Sequence, residues 1–108
     1  MSYKKYTCPF ALLDGLAAES DTDAALDMIF LSMSDWLMDS NFEACDDVLN
    51  AINVDETQDA VLVGLIINTY WARKLLKNRP GFIKRTSAAL AKRGASEVGI
   101  SNIMRGLE

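Results

Sequence analysis

Apolar residues recur through residues 21–39 at Ala25, Leu26, Ile29, Phe30, Met33, Trp36 and Leu37. At about 100° per residue these positions fall in one arc, with Asp23, Asp27, Asp35 and Asp39 on the rest of the wheel. The spacing predicts an amphipathic helix, and Asp21 and Asp23 at its start complement the positive end of its dipole. Ser40 and Glu43 have the spacing of a capping box, which predicts that the next helix begins almost at once. Over residues 42–52 that helix sets Phe42, Cys45, Val48, Leu49 and Ile52 inward, and Glu43, Asp46, Asp47 and Asn50 outward.

Every other regular segment also reads as helix. Residues 9–18 carry Phe10, Leu13 and Leu16/Ala17 on an apolar edge, with Thr7 as a cap and Pro9 in the first turn. Gly15 costs about 1 kcal/mol relative to Ala inside a helix, so this element depends on packing. Asp55 and Gln58 offer a further cap ahead of a helix over residues 56–77. Val61, Leu62, Val63, Leu65, Ile66, Ile67, Tyr70 and Trp71 cover nearly its whole circumference, the pattern of a helix buried from several sides. Gly64 reads as a close-approach point against a neighbour, and Arg73, Lys74 and Lys77 suit the last turns. Residues 79–81 are a turn into a fifth helix reaching Arg93, whose inward arc is Phe82, Ile83, Thr86, Ala89 and Leu90. Gly94 is its C-cap. Beyond it, Ile100, Ile103, Met104 and Leu107 keep helical spacing across a tail weakened by Gly99 and Gly106.

A long helix, a tight turn and a shorter amphipathic helix occur twice, at 21–52 and 56–93, with a period near forty. The expected fold is all-α: a compact bundle of about five helices arranged as two stacked αα-hairpins, like a minimal helical repeat. Residues 1–94 form a single helical domain, and 95–108 a C-terminal tail with a short docked helix. In pattern, residues 36–82 resemble small helical proteins of bacterial and phage genomes, a resemblance that implies no particular activity.

Charge changes this picture most. Between Lys5 and Arg73 there are thirteen carboxylates and no basic residue, whereas from Arg73 onward nine Lys/Arg face two Glu. The net charge of −4 therefore conceals strong segregation, which bears on association and steering more than on fold. Chemistry is limited by what is missing. Without histidine and with two distant cysteines, Cys8 and Cys45, neither a Ser-His-Asp or Cys-His site nor a Cys/His zinc site can be assembled. Asp21/Asp23 and the carboxylates of residues 53–59 lack the glycine and terminal glutamate of a calcium loop. No cofactor is implied, and the chain reads as non-enzymatic. Its longest apolar run, residues 60–67, rises only about 12 Å as helix against a hydrocarbon core of about 30 Å. No apolar run of signal-peptide type precedes Cys8, so a soluble cytoplasmic protein is expected.

Three surfaces remain as candidates. Asp27, Asp35, Asp39, Glu43, Asp46 and Asp47, beside the apolar Met28, Leu31 and Met38, suit a basic or amphipathic protein partner. Such a face also resembles the phosphate row of a nucleic acid, which would make the chain an acidic mimic. In the plainer reading the carboxylates are solvated, and the N-terminal helix covers the apolar stripe. The alternative is a phosphate-binding region of Arg73, Lys77, Arg79, Lys84, Arg85 and Lys92, which would associate the protein with nucleic acid. Internal pairing with the acidic half is its plainer reading, and a head-to-tail homodimer is compatible with the same charges. Trp36 and Trp71 both read as core residues, and Asn68 and Thr69 require hydrogen-bond partners inside a buried helix.

Overall fold

The computed structural model describes residues 6–94. Five helices follow one another: α1 (Pro9–Ala18), α2 (Thr22–Met38), α3 (Phe42–Ala51), α4 (Asp59–Asn68) and α5 (Arg79–Lys92). The described residues contain no strand, so the fold is all-α as the periodicity predicts. The tail expected over 95–108 lies outside the described residues.

Packing connects alternate helices. α1 lies against α3 and α3 against α5 in one layer, and α2 lies against α4 in the other. Cross-contacts of α1 and α3 with α2, and of α4 with α5, close the two layers on each other. Hydrogen bonds give the directions. Thr22 Oγ1 donates to Gln58 Oε1 (2.7 Å), while farther along Asn68 Nδ2 donates to the Ile29 carbonyl (3.2 Å), so α2 and α4 run parallel. Likewise Asp46 meets Lys77 and Asn78, and Ile52 meets Arg85, so α3 and α5 run parallel. Between the layers sits one core that fully buries Leu12, Ile29, Met33, Leu49, Leu62, Leu65, Ile66 and Phe82. Each such side chain stabilises the fold by about 1.5–3 kcal/mol relative to exposure. Gly64 is a close-approach point: a Cβ there would meet the tip of Leu26 on α2. Gly15 plays the same part under the Tyr6 ring.

The helix ends depart from expectation in instructive ways. Thr7 does not cap α1, whose N-cap is Cys8, without a side-chain bond. Asp21 does cap α2, accepting from the Asp23 (2.9 Å) and Ala24 (3.3 Å) amides. The expected Ser40–Glu43 capping box is not formed. Ser40 instead takes a left-handed conformation (φ 59°) and closes α2. The Asn41 amide donates to Trp36 O (2.8 Å) and the Ser40 amide to Leu37 O (3.2 Å), the pair of bonds of a Schellman motif. Asn41 then caps α3 through Oδ1 on the Ala44 amide (3.3 Å).

The fourth helix is much shorter than residues 56–77. It starts at Asp59 after the N-cap Gln58, whose side chain makes no capping bond and instead engages Thr22 and the Ser20 carbonyl. It stops at Asn68, where Thr69 folds its hydroxyl back onto the Ile66 carbonyl (2.9 Å). The chain continues as successive i→i+3 turns, Tyr70 to Ile67, Ala72 to Thr69 and Leu75 to Ala72. Arg73, Lys74 and Lys77 are therefore in a connection rather than at a helix end. Trp71, expected in the core, is 88% exposed, and its ring meets Tyr70 edge-on at 5.3 Å. Trp36 is buried as expected. On α2 the buried arc is rotated toward Ser32, whose Oγ accepts the Tyr6 amide (2.9 Å), leaving Phe30 63% exposed. Arg79, Pro80 and Gly81 form the first turn of α5, and Gly94 ends that region with φ 90°.

Candidate functional site

The predicted acidic surface divides along α2 and α3. Asp46 is buried and belongs to the frame of the molecule. Its Oδ1 accepts the Asn78 amide (2.8 Å), its Oδ2 the Lys77 amide (3.1 Å), and its backbone carbonyl the Asn78 side chain (3.1 Å). Asn78 is the N-cap of α5 but makes no capping bond with its own side chain. A carboxylate from α3 thus serves the N-terminal end of α5, where negative charge is also favoured by the helix dipole. Asp46 still lines the groove described below, with both carboxylate oxygens already accepting amides.

A reciprocal contact runs the other way. α3 has no basic residue in its last turn. The Arg85 guanidinium, from α5, donates to the carbonyls of Leu49 and Ile52 at its C-terminal end. Arg93 secures the following loop, donating to the carbonyls of Val54 and Thr57 (2.6 Å for the latter) and pairing with Asp59 (2.6 Å). Arg79 Nε donates to Thr69 Oγ1 (3.2 Å), and burial, then the charge of Arg73, lowers its pKa from the ordinary guanidinium value. Asn68 and Thr69 find their partners in a network across helices: Ser34 Oγ donates to Asn68 Oδ1 (3.4 Å). Of the six predicted phosphate-binding residues, Arg79 and Arg85 are committed to internal oxygens. The Arg73 guanidinium lies 5.5 Å from the Tyr70 ring centroid. Lys77, Lys84 and Lys92 are exposed.

The remaining carboxylates of α3 border a groove of about 720 Å³ between the start of that helix and the 69–78 connection. Ser40, Phe42, Glu43, Asp47, Leu75 and Lys77 are among its lining residues. Glu43 is exposed and Asp47 half-buried. Met38 (84% exposed) and Asp39 end α2 immediately before this rim, and Leu75, on the rim, is 58% exposed. Leu75 reaches this rim because α4 ends at Asn68 and the chain continues as turns. Asp27, Met28, Leu31 and Asp35 are elsewhere on α2, all half-buried, with Met28 packed against the core edge. The expectation that α1 covers the whole apolar stripe therefore fails at Met38.

Cys45, the nearby thiol, is buried with Sγ toward the Met33 carbonyl (4.0 Å). Burial, then the charge of Asp46, pushes its pKa up to about 12, so it is inert as a nucleophile near neutrality. Among the described residues no group of three or more His, Cys, Asp or Glu side chains is placed to hold a metal ion. No described helix is long and apolar enough to cross a membrane. Comparison with known proteins adds no assignment: no family model matches the chain, and no curated protein or solved structure resembles it significantly.

Proposed function

We propose that this chain is a non-enzymatic protein-binding module whose groove beside α3 receives a basic, amphipathic segment of a partner protein. The observation that carries the reading is the exposed Leu75 with Glu43 and Asp47 around one concavity, beside the end of α2 where Met38 is exposed and Asp39 is the C-cap. Apolar anchors supply affinity, and complementary charge supplies steering and selection against acidic competitors. Lys77 on the rim gives the groove an electrical direction, which fixes the polarity of the bound segment.

A synthetic Leu/Lys amphipathic helix, titrated at low and moderate salt, tests this directly. The expected result is binding that weakens with salt and falls at least tenfold in Glu43→Lys/Asp47→Lys. Asp23→Lys/Asp55→Lys makes the same change in net charge away from the groove and should retain most of the affinity. Equal losses in the two variants would reduce the interaction to bulk charge and overturn the reading. A Leu/Glu helix that binds as well as the Leu/Lys one would do the same.

A further inference from the structure

The outward side of the α2–α4 pair carries an apolar patch. Phe30 on α2 and Ile67 on α4 are each more than half exposed, and the exposed Trp71 follows just beyond the end of α4. Three contacts fix how the two parallel helices line up: Thr22 with Gln58 at their starts, Leu26 against Gly64, and the Ile29 carbonyl with Asn68 farther along. Phe30 follows Leu26 by four residues and Ile67 follows Gly64 by three, so both stand over this seam, on the side away from the core. The Tyr70 amide donates to the Ile67 carbonyl (3.1 Å), and the Tyr70 ring meets that of Trp71 edge-on, which keeps the aromatic pair at the end of α4.

Charge divides this face by its ends. Asp23 comes seven residues before Phe30, Lys74 comes seven after Ile67, and both are exposed. Neither α2 nor α4 contains a basic residue, and no carboxylate occurs in the sequence between Asp59 and Glu97. Asp59, also at the acidic end, is paired with Arg93. The face is therefore acidic near the start of the helices, apolar in the middle and basic beyond their end. A single-stranded nucleic acid stacked on Trp71 beside Lys74 would meet Asp23 and Asp27 with its phosphates along the rest of the face. Any partner of one sign satisfies one end and is repelled at the other. A second copy, turned end for end, sets acid against base at both ends and apolar surface against apolar surface between them. We propose that two copies of this chain pair about a two-fold axis through the α2–α4 face, with Phe30 and Ile67 at the centre and Asp23 beside Lys74 of the partner subunit. The contact closes on itself, unlike a head-to-tail chain, and is independent of the reading given for the groove.

Sedimentation equilibrium of the full chain tests this. The expected result is a monomer–dimer equilibrium with a dissociation constant on the order of 10 μM, because a few apolar anchors must offset the entropy lost on association. Phe30→Asp/Ile67→Asp should raise that constant at least tenfold, with unchanged Trp36 emission showing that the monomer is still folded. Asp23→Lys and Lys74→Asp should each raise it at least threefold, while an equimolar mixture of the two should return to the original constant or below it, since both ends then pair opposite charges. Asp55→Lys and Lys84→Asp make equal charge changes off this face and should stay within twofold, alone or mixed. A protein that stays monomeric, a mass that climbs past the dimer, or an Asp23→Lys and Lys74→Asp mixture no tighter than its components would overturn the proposal. So would quenching of Trp71 emission by oligothymidylate in a protein that remains monomeric, which would give the face to a single-stranded nucleic acid.

Discussion

Asp46 and Asp47 are adjacent carboxylates on one helix, and the structure gives them opposite weights. In Asp46→Ala, the Lys77 and Asn78 amides lose a charged acceptor at 3.1 and 2.8 Å. Hydrogen bonds to charged groups contribute about 1.5–3 kcal/mol each, and an unsatisfied buried donor costs about as much. Both contacts are only partly buried, so water recovers part of the loss, and about 3–4 kcal/mol is expected in total. Asp47 has no internal bond of this kind, and Asp47→Ala should change stability by no more than about 0.5 kcal/mol. Asp46→Asn keeps one acceptor oxygen but turns an NH₂ toward the second amide, so it should lose an intermediate amount. Urea unfolding followed by tryptophan emission reads this directly. Trp36 is buried and shifts to the red on unfolding, whereas Trp71 is already exposed and adds little signal. In a thermal scan the same loss corresponds to about 12–16 °C, at roughly 4 °C per kcal/mol for a domain of this size. If Asp46→Ala and Asp47→Ala fall within about 1 kcal/mol of each other, the carboxylate does not hold the start of α5 and the reasoning fails.

Four further outcomes follow from individual side chains. Thr86 Oγ1 is buried without a hydrogen-bond partner, so Thr86→Val, which keeps the shape, should stabilise by about 1 kcal/mol, and a loss of that size in urea unfolding would reveal a partner for the hydroxyl. Ser40 holds φ 59°, so Ser40→Gly should raise stability by about 1 kcal/mol in the same assay, and no gain would mean that the left-handed conformation is not a cost there. The Cys45 thiol has its pKa raised from 9.0 to about 12 in the folded protein, so its contribution is complete below pH 9 and is lost as pH rises toward 12. Stability should therefore fall with a limiting slope of about 1.4 kcal/mol per pH unit, and subtraction of the Cys45→Ala profile isolates that slope from other groups. At neutral pH a thiol reagent should label exposed Cys8 at once and Cys45 only on unfolding.

Periodicity was a sound guide to which segments are helical, and a poorer one to which neighbour covers each face. The inward sides of α3 and α5 were legible because a single arc of apolar residues admits one orientation. On α2 the same arithmetic placed Phe30 inside, because it could not register Ser32, which enters the core as the acceptor for a distant amide. Along residues 56–77 the apolar run continued past the end of α4, where the Thr69 hydroxyl competes for a helix carbonyl and the backbone tightens into turns. That local competition exposes Trp71 and brings Leu75 to the groove. Glu43 and Asp47 were identifiable as outward charges from spacing alone. Asp46 was not distinguishable from them, since its partners lie 31 and 32 positions away and no one-dimensional pattern connects them.

The exchange of caps between α3 and α5 also orders the events of folding. In a chain that grows from its N-terminus, the Leu49 and Ile52 carbonyls and the Asp46 carboxylate are made before the groups that bind them. They are satisfied together once Lys77, Asn78 and Arg85 have emerged and α5 docks. Once closed, the Lys77 and Asn78 amides should exchange their hydrogens only when α5 leaves α3, although both residues lie in a connection between helices. The 69–78 segment then opens together with the helices it joins, instead of ahead of them.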